Sequence, residues 1–238
     1  METPHACLHR TRPKMSTMSD LPVRGWLLWG LLAFVAWAWP VAVTAGAADA
    51  VVSPDAARGE RLYATCAACH GVSGMGQPEG PAPVLAGQHE LVLRRQLADY
   101  RAGVRWDPQM EPVARLRLVE QARDRADLAA FLSQLDPSLP AAIGPGDSLA
   151  AGARVFVIDC AGCHGATGQG DAARGIPRLA GQHHGYLRRQ VQDAVEGRRP
   201  RLQASHGARF TALTAAEIDG LADYLSRNAR RVAPVRSR

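Results

Sequence analysis

The hexapeptide Cys66-Ala67-Ala68-Cys69-His70-Gly71 returns 94 residues later as Cys160-Ala161-Gly162-Cys163-His164-Gly165. At the same offset Pro83 and Leu85-Ala86-Gly87-Gln88-His89 return as Pro177 and Leu179-Ala180-Gly181-Gln182-His183. Leu93-Arg94-Arg95-Gln96 returns as Leu187-Arg188-Arg189-Gln190, and Asp99, Gly103 and Arg105 are matched by Asp193, Gly197 and Arg199. Self-similarity at a fixed period means that one structural unit is present twice. Each unit of about ninety residues must then build its own core. Residues 136–146 (DPSLPAAIGPG) hold three Pro and two Gly, the composition of a connection between units. The expected division is a leader over 1–47, a first domain over 48–140, a linker at 141–146, a second domain over 147–230 and a basic tail over 231–238.

Each unit reads as three main helices with long loops, so the expected fold class is all-α; no alternating run suggests a sheet. In the first unit the helices cover about 53–66, 88–102 and 118–135, with Ser53-Pro54 as the expected start of the first and Gly103 as the stop of the second. In the second unit they cover about 148–159, 182–196 and 215–227. The last opens on Thr214-Ala-Ala-Glu217, a capping box. Gly- and Pro-rich loops, 71–83 and 165–177, separate the first two helices of each unit.

The first 47 residues differ in kind. Trp26 to Val43 carries no charge, Arg10, Arg12, Lys14 and Arg24 precede it, and Ala45-Gly46-Ala47 follows. That order of basic, apolar and small-residue segments is expected of a secretory signal peptide cleaved after about Ala47. The alternative is an anchor left in the membrane, since eighteen apolar residues just span a bilayer. Either way the expected location is the periplasm, an oxidising compartment. Beyond the leader the formal charge is −2 over 48–140 and +6 over 141–238, and nothing resembles a nucleic-acid module. Of 13 aromatic residues, five lie in the leader, leaving eight for both domains. Something other than aromatic side chains must fill those cores.

All four cysteines beyond the leader lie in C-x-x-C-H, the attachment pattern for c-type haem. Two thiols at that spacing form thioethers with the two vinyl groups of a porphyrin, and the adjacent imidazole, His70 or His164, becomes the proximal iron ligand. A thioredoxin-like dithiol needs a strand leading in and a helix leading out. A zinc site would have to combine pairs 94 residues apart, and disulfides between cysteines three apart are strained. Two haem c groups, held by Cys66, Cys69, Cys160 and Cys163, are the expected cofactors. A porphyrin in each core also accounts for the missing aromatics.

The sixth iron ligand decides the chemistry. Of the two methionines beyond the leader, Met75 lies five residues from His70 in the same loop, too near to cross the porphyrin, whereas Met110 lies forty residues on, past the second helix. Met110 is the expected distal ligand of the first haem. At its offset the second unit has Ala204, which cannot ligate; His206, seven residues before Leu213, is the expected distal ligand there. The alternatives are a five-coordinate iron or ligation by His183 or His184. His89 and His183, paired in the repeat beside Gly-Gln, read as features of the helix start, structural or exposed rather than ligands.

With these motifs together, residues 53 to 227 resemble tandem class I cytochromes c, specifically the diheme cytochrome c4 family: C-x-x-C-H-G, G-x-x-G-x-G, P-x-L-A-G-Q, an R-Q-L-type helix ending in G-x-R, a ligand loop and a final helix. The resemblance implies that Pro83 and Pro177 carbonyls hold the proximal imidazoles, and it matches Met110 to the family's distal methionine. His206 departs from that pattern. A second imidazole favours ferric iron and lowers the potential relative to a thioether. The implied function is electron transfer without catalysis in a respiratory chain, between a quinol-oxidising complex and a terminal oxidase or reductase. The alternatives are the cytochrome subunit of a periplasmic dehydrogenase or, with less support from the chain's length, a diheme peroxidase.

Overall fold

The computed structural model describes residues 53–137 and 141–228. The leader, residues 138–140 of the connection and the basic tail lie outside the described residues. The first half runs α1 (Ala56–Tyr63), α2 (Ala67–His70), α3 (Glu90–Arg101), α4 (Met110–Ala114), a 3-10 turn at Arg117–Val119 and α5 (Ala122–Gln134). The second half runs α6 (Leu149–Val155), a π-helical turn at Phe156–Cys160, α7 (Ala161–His164), α8 (His184–Val195), α9 (Pro200–Ala212) and α10 (Ala215–Arg227). Among the described residues extended pairing is limited to the bridge Asp171–Ile176, so the all-α class holds. No described helix is long and apolar enough to cross a membrane.

Local chemistry set most of these boundaries, but α5 starts at Ala122 rather than near 118 and α6 gives way at Val155 to the π-helical turn rather than running to about 159. The first helix starts at Ala56 because Asp55, not Ser53, caps it: the Asp55 carboxylate accepts from the Arg58 N–H at 2.9 Å. The stretches expected to be ligand loops contain α4 and α9. In α9, Pro200 sits at the first turn, where its missing N–H costs nothing, and the helix runs thirteen residues through His206. α10 matches its expected span, with Glu217 N–H donating to Thr214 Oγ1 at 3.2 Å and Thr214 N–H to the Glu217 carboxylate at 2.9 Å.

In each half the first helix crosses the last at very close range, α1 on α5 and α6 on α10. Glycine permits this: a Cβ on Gly59 would stand 2.0 Å from the Asp127 carbonyl oxygen, and one on Gly152 would stand 1.9 Å from that of Gly220. Around the crossings lie two small cores, Tyr63, Leu93, Val119, Leu128 and Leu132 in the first half and Val155, Phe156, Leu187, Leu221 and Leu225 in the second. Tyr63 leans on Phe131 and Phe156 on Tyr224, each pair 5.5 Å apart.

A buried aspartate ties the start of each half to its last helix. Asp127 accepts from Asp55 N–H at 2.8 Å and Arg58 at 2.6 Å; Asp223 accepts from Gly144 N–H at 2.9 Å, Gly146 N–H at 2.7 Å and Arg227 at 2.7 Å. Burial pushes both carboxyls up, but these donors outweigh it and hold both below the usual range. A carboxylate with a depressed folded-state pKa stabilises the fold above its unfolded value, and that contribution is lost as pH falls. In urea denaturation this contribution should appear as a decline in stability below about pH 4 that is shallower in Asp127→Asn.

The described residues form one compact unit, and the halves join through reciprocal bonds. Gln182 bonds both backbone groups of Val84, at 2.9 and 2.9 Å, while Gln88 bonds the Arg178 N–H at 3.0 Å and carbonyl at 2.9 Å. His89 Nε2 meets the Gln169 carbonyl at 2.9 Å, and His183 Nε2 meets that of Met75 at 2.7 Å. Repeat-related residues thus exchange equivalent bonds about an approximate twofold. His89 and His183 are structural, as their pairing in the repeat implied.

Candidate haem sites

The segment Cys66–Gly71 forms one tight helical turn, capped by Gly71 at φ +70°, and Cys160–Gly165 repeats it with Gly165 at φ +78°. Cysteines three apart on such a turn share a face. Cys69 and Cys163 are exposed, and Cys66 and Cys160 half-buried. Burial pushes the Cys66 thiol up and, together with Asp159, pushes Cys160 up to about 11. Redox-active C-x-x-C pairs instead have depressed values, so Cys66 and Cys160 lack the mark of dithiol exchange.

The proximal imidazoles are buried and oriented. His70 Nδ1 lies 3.1 Å from the Pro83 carbonyl oxygen and His164 Nδ1 lies 3.0 Å from that of Pro177. A carbonyl only accepts, so each Nδ1 carries the proton and each Nε2 lone pair is free for a metal. Burial pushes both imidazoles below their usual value, against the pull of Pro83 and Asp107 on His70 and of Pro177 on His164, which keeps them neutral for ligation. These are the carbonyl contacts that the resemblance implied.

Beside His164 stands His206, with ring centres 6.1 Å apart. Two metal–imidazole bonds of about 2 Å, with roughly 1 Å more from each nitrogen to its ring centre, span about 6 Å. The spacing therefore admits one metal ion between the rings. His206 stacks on Phe210 at 5.3 Å, and its Nδ1 lies 2.7 Å from Ser205 Oγ. The other candidates on this side are engaged elsewhere: His183 Nδ1 accepts from Ala142 N–H at 3.0 Å, and His184 Nε2 lies 3.1 Å from Asp219.

In the first half Met110 opens α4, with its N–H 3.1 Å from the Asp107 carboxylate, the group that also acts on His70. Met75 is buried against Val84 and Ala86, a core residue of its loop.

Two arginines that the sequence marks only as a repeat pair meet between the halves. Arg105 bonds Gln96 at 2.5 Å, Gln190 at 2.8 Å and Tyr186 Oη at 2.9 Å; Arg199 bonds Gln190 and Gln96, each at 2.9 Å. Arg105 is buried and Arg199 half-buried, and among the described residues neither has a carboxylate within ion-pair distance. Burial and the neighbouring Arg105 push Arg199 down to about 10. Two neighbouring cations held by neutral amides, with no carboxylate bonded to either, make this seam favourable to an anion. The signal available in sequence was the exact recurrence of Gln96 and Arg105 at Gln190 and Arg199.

Residues 56–136 and 149–229 each match the cytochrome c family. The chain is 36% identical over 151 residues to cytochrome c4 of Pseudomonas aeruginosa, covering 61% of this chain and 73% of that one. A crystal structure of reduced cytochrome c4 from Pseudomonas stutzeri superposes with TM-score 0.62 at 31% identity, over 73% of this chain and 98% of that one. The chain belongs to the diheme cytochrome c4 family. It is also 33% identical over 211 residues to the thiosulfate dehydrogenase electron acceptor of Stutzerimonas stutzeri, covering 79% of this chain and 94% of that protein. As a c4-family cytochrome it carries two covalently bound haem c groups. The residues fit that cofactor. Each half offers a thiol pair beside a neutral imidazole with a free Nε2, and the two arginines, neither in an ion pair, suit a group that bears carboxylates.

Proposed function

We propose that this electron-transfer cytochrome is a periplasmic carrier with two unlike haem centres. Cys66 and Cys69 anchor the first, with His70 and Met110 on its two faces; Cys160 and Cys163 anchor the second, with His164 and His206. The domains divide at the 141–146 linker. The observation that carries this reading is the 6.1 Å spacing of the His164 and His206 rings. Bound haem supplies reversible one-electron chemistry at iron. The chain's residues orient the proximal imidazoles through Pro83 and Pro177, occupy both faces so that nothing need bind or leave, and hold charge between the halves with Arg105 and Arg199. An occupied distal face on the second haem also weighs against a peroxidase. Thioether on one side and imidazole on the other makes the first centre the higher in potential.

The ligand set has a direct test. The oxidised protein should show a near-infrared sulfur-to-iron band equal to one methionine-ligated haem per chain, and Met110→Ala should abolish it. Two bands' worth of intensity, or a band that survives in Met110→Ala, would refute the assignment.

A second reading concerns the electron donor. The match to a thiosulfate dehydrogenase electron acceptor extends over 94% of that protein, which favours a periplasmic dehydrogenase over a quinol-oxidising complex. Mixing the oxidised protein with a thiosulfate dehydrogenase and thiosulfate should reduce both haems within the turnover time of the enzyme. Reduction no faster than by thiosulfate alone would exclude it.

A further inference from the structure

Two features set the second half apart from the first, and in the structure they meet. Tyr63 and Phe156 occupy equivalent places, each 5.5 Å from an aromatic ring of its half's last helix. Yet Cys66 lies three residues after Tyr63, whereas Cys160 lies four residues after Phe156. The extra residue is taken up by the π-helical turn Phe156–Cys160, which leaves Val157 and Ile158 63% and 77% exposed. Single π turns of this kind occur frequently at functional sites.

The other feature is His206, on α9, in place of a methionine. Asp159, inside the π turn, forms an ion pair with Arg209, three residues beyond His206 on that helix. Residues three apart lie on neighbouring positions of one helix face. Holding Arg209 therefore fixes both the rotation of α9 and its distance from the segment that carries Cys160, Cys163 and His164. The other end of α9 is tied separately, by Arg201 Nε to the Asp99 carboxylate at 2.9 Å. The first half has Ala64-Thr65 before its Cys66, with no acidic side chain there.

We propose that the inserted residue and the Asp159–Arg209 pair are a positioning device for His206: the π turn delivers a carboxylate that clamps the imidazole-bearing helix over the second haem. Asp159 and Arg209 are positioning residues, acting through His206. The inference rests on His206 being the distal ligand. An exposed ion pair supports an effect of several-fold rather than hundred-fold, and one that salt weakens.

The test uses the complete diheme protein and follows cyanide binding to the oxidised second haem, which requires His206 to leave. Asp159→Asn and Arg209→Gln should each bind cyanide about three- to tenfold faster than the wild type at low salt. The exchanged pair Asp159→Arg with Arg209→Asp should return the rate to within about twofold of the wild type. Raising salt to about 0.5 M should accelerate the wild type but neither single variant; if a variant does not fold, the wild-type salt response alone decides. Wild-type rates in both single variants, an exchanged pair as fast as the singles, or a salt-independent wild type would overturn the clamp. His206→Ala separates the two claims. If its second haem keeps the wild-type low-spin spectrum, the ligand assignment fails. If that spectrum is lost while Asp159→Asn and Arg209→Gln behave as the wild type, only the clamp fails.

Discussion

His206→Ala is expected to convert the second haem from a low-spin, six-coordinate centre into one that is high-spin and open to added ligands. The first haem and its near-infrared band should be unchanged. The reason is local: His206 is the imidazole facing His164, while His183 and His184 are held by Met75, Ala142 and Asp219 and cannot take its place without breaking those bonds. Axial ligands set haem potentials over roughly 0.8 V, so His206→Met should raise the second potential by on the order of 0.2 V. That change would narrow the gap between the two centres. Redox titration of the two variants beside the wild type reads both effects. A second haem whose spin state and potential are indifferent to residue 206 would disprove the assignment.

Gly152→Ala should cost far more stability than its single methyl group suggests. The added Cβ would stand 1.9 Å from the Gly220 carbonyl oxygen and 2.4 Å from the Leu221 nitrogen, both backbone atoms that cannot turn aside. α6 and α10 must separate, which loosens Val155, Phe156, Leu221 and Leu225 together. Overpacking of this kind costs about 3 kcal/mol, and at this chain length that lowers the melting temperature by roughly 10 °C. Gly162→Ala is the matched control. Nothing lies within 4 Å of a Cβ at that position, and the first half already carries Ala68 there. Calorimetry should find the control within about 0.5 kcal/mol of the wild type. Equal melting temperatures for the two variants would contradict the close crossing.

The fold was legible because its signals are local. Thr214 and Glu217 announce the start of α10, Gly103 stops α3, and the C-x-x-C-H turn needs no partner from elsewhere in the chain to define itself. The first helix starts two residues later than expected because Asp55, as well as Ser53, can cap, and Asp55 also donates its own N–H to Asp127 at the far end of the domain. α4 and α9 stand where ligand placement alone points to loops. In α9 the pattern PRLQASHGARFTA gives little amphipathic contrast and buries no side chain fully.

By itself the sequence determined what depends on neighbours along the chain: a duplicated unit, two thiol pairs at porphyrin spacing, a proximal histidine beside each, and a methionine present in one distal segment and absent from the other. Only the tertiary structure decided what depends on the path of the chain through space. It set the Pro83 and Pro177 carbonyls against the imidazoles, faced His206 toward His164, and brought Arg105 and Arg199 together on the glutamines of both halves. It also showed that one extra residue before Cys160 is stored in a π turn that delivers Asp159 to Arg209. Spacing in sequence prescribes a bond when the atoms are a helical turn apart. Once forty residues intervene, the choice of partner belongs to the packing of the helices between them.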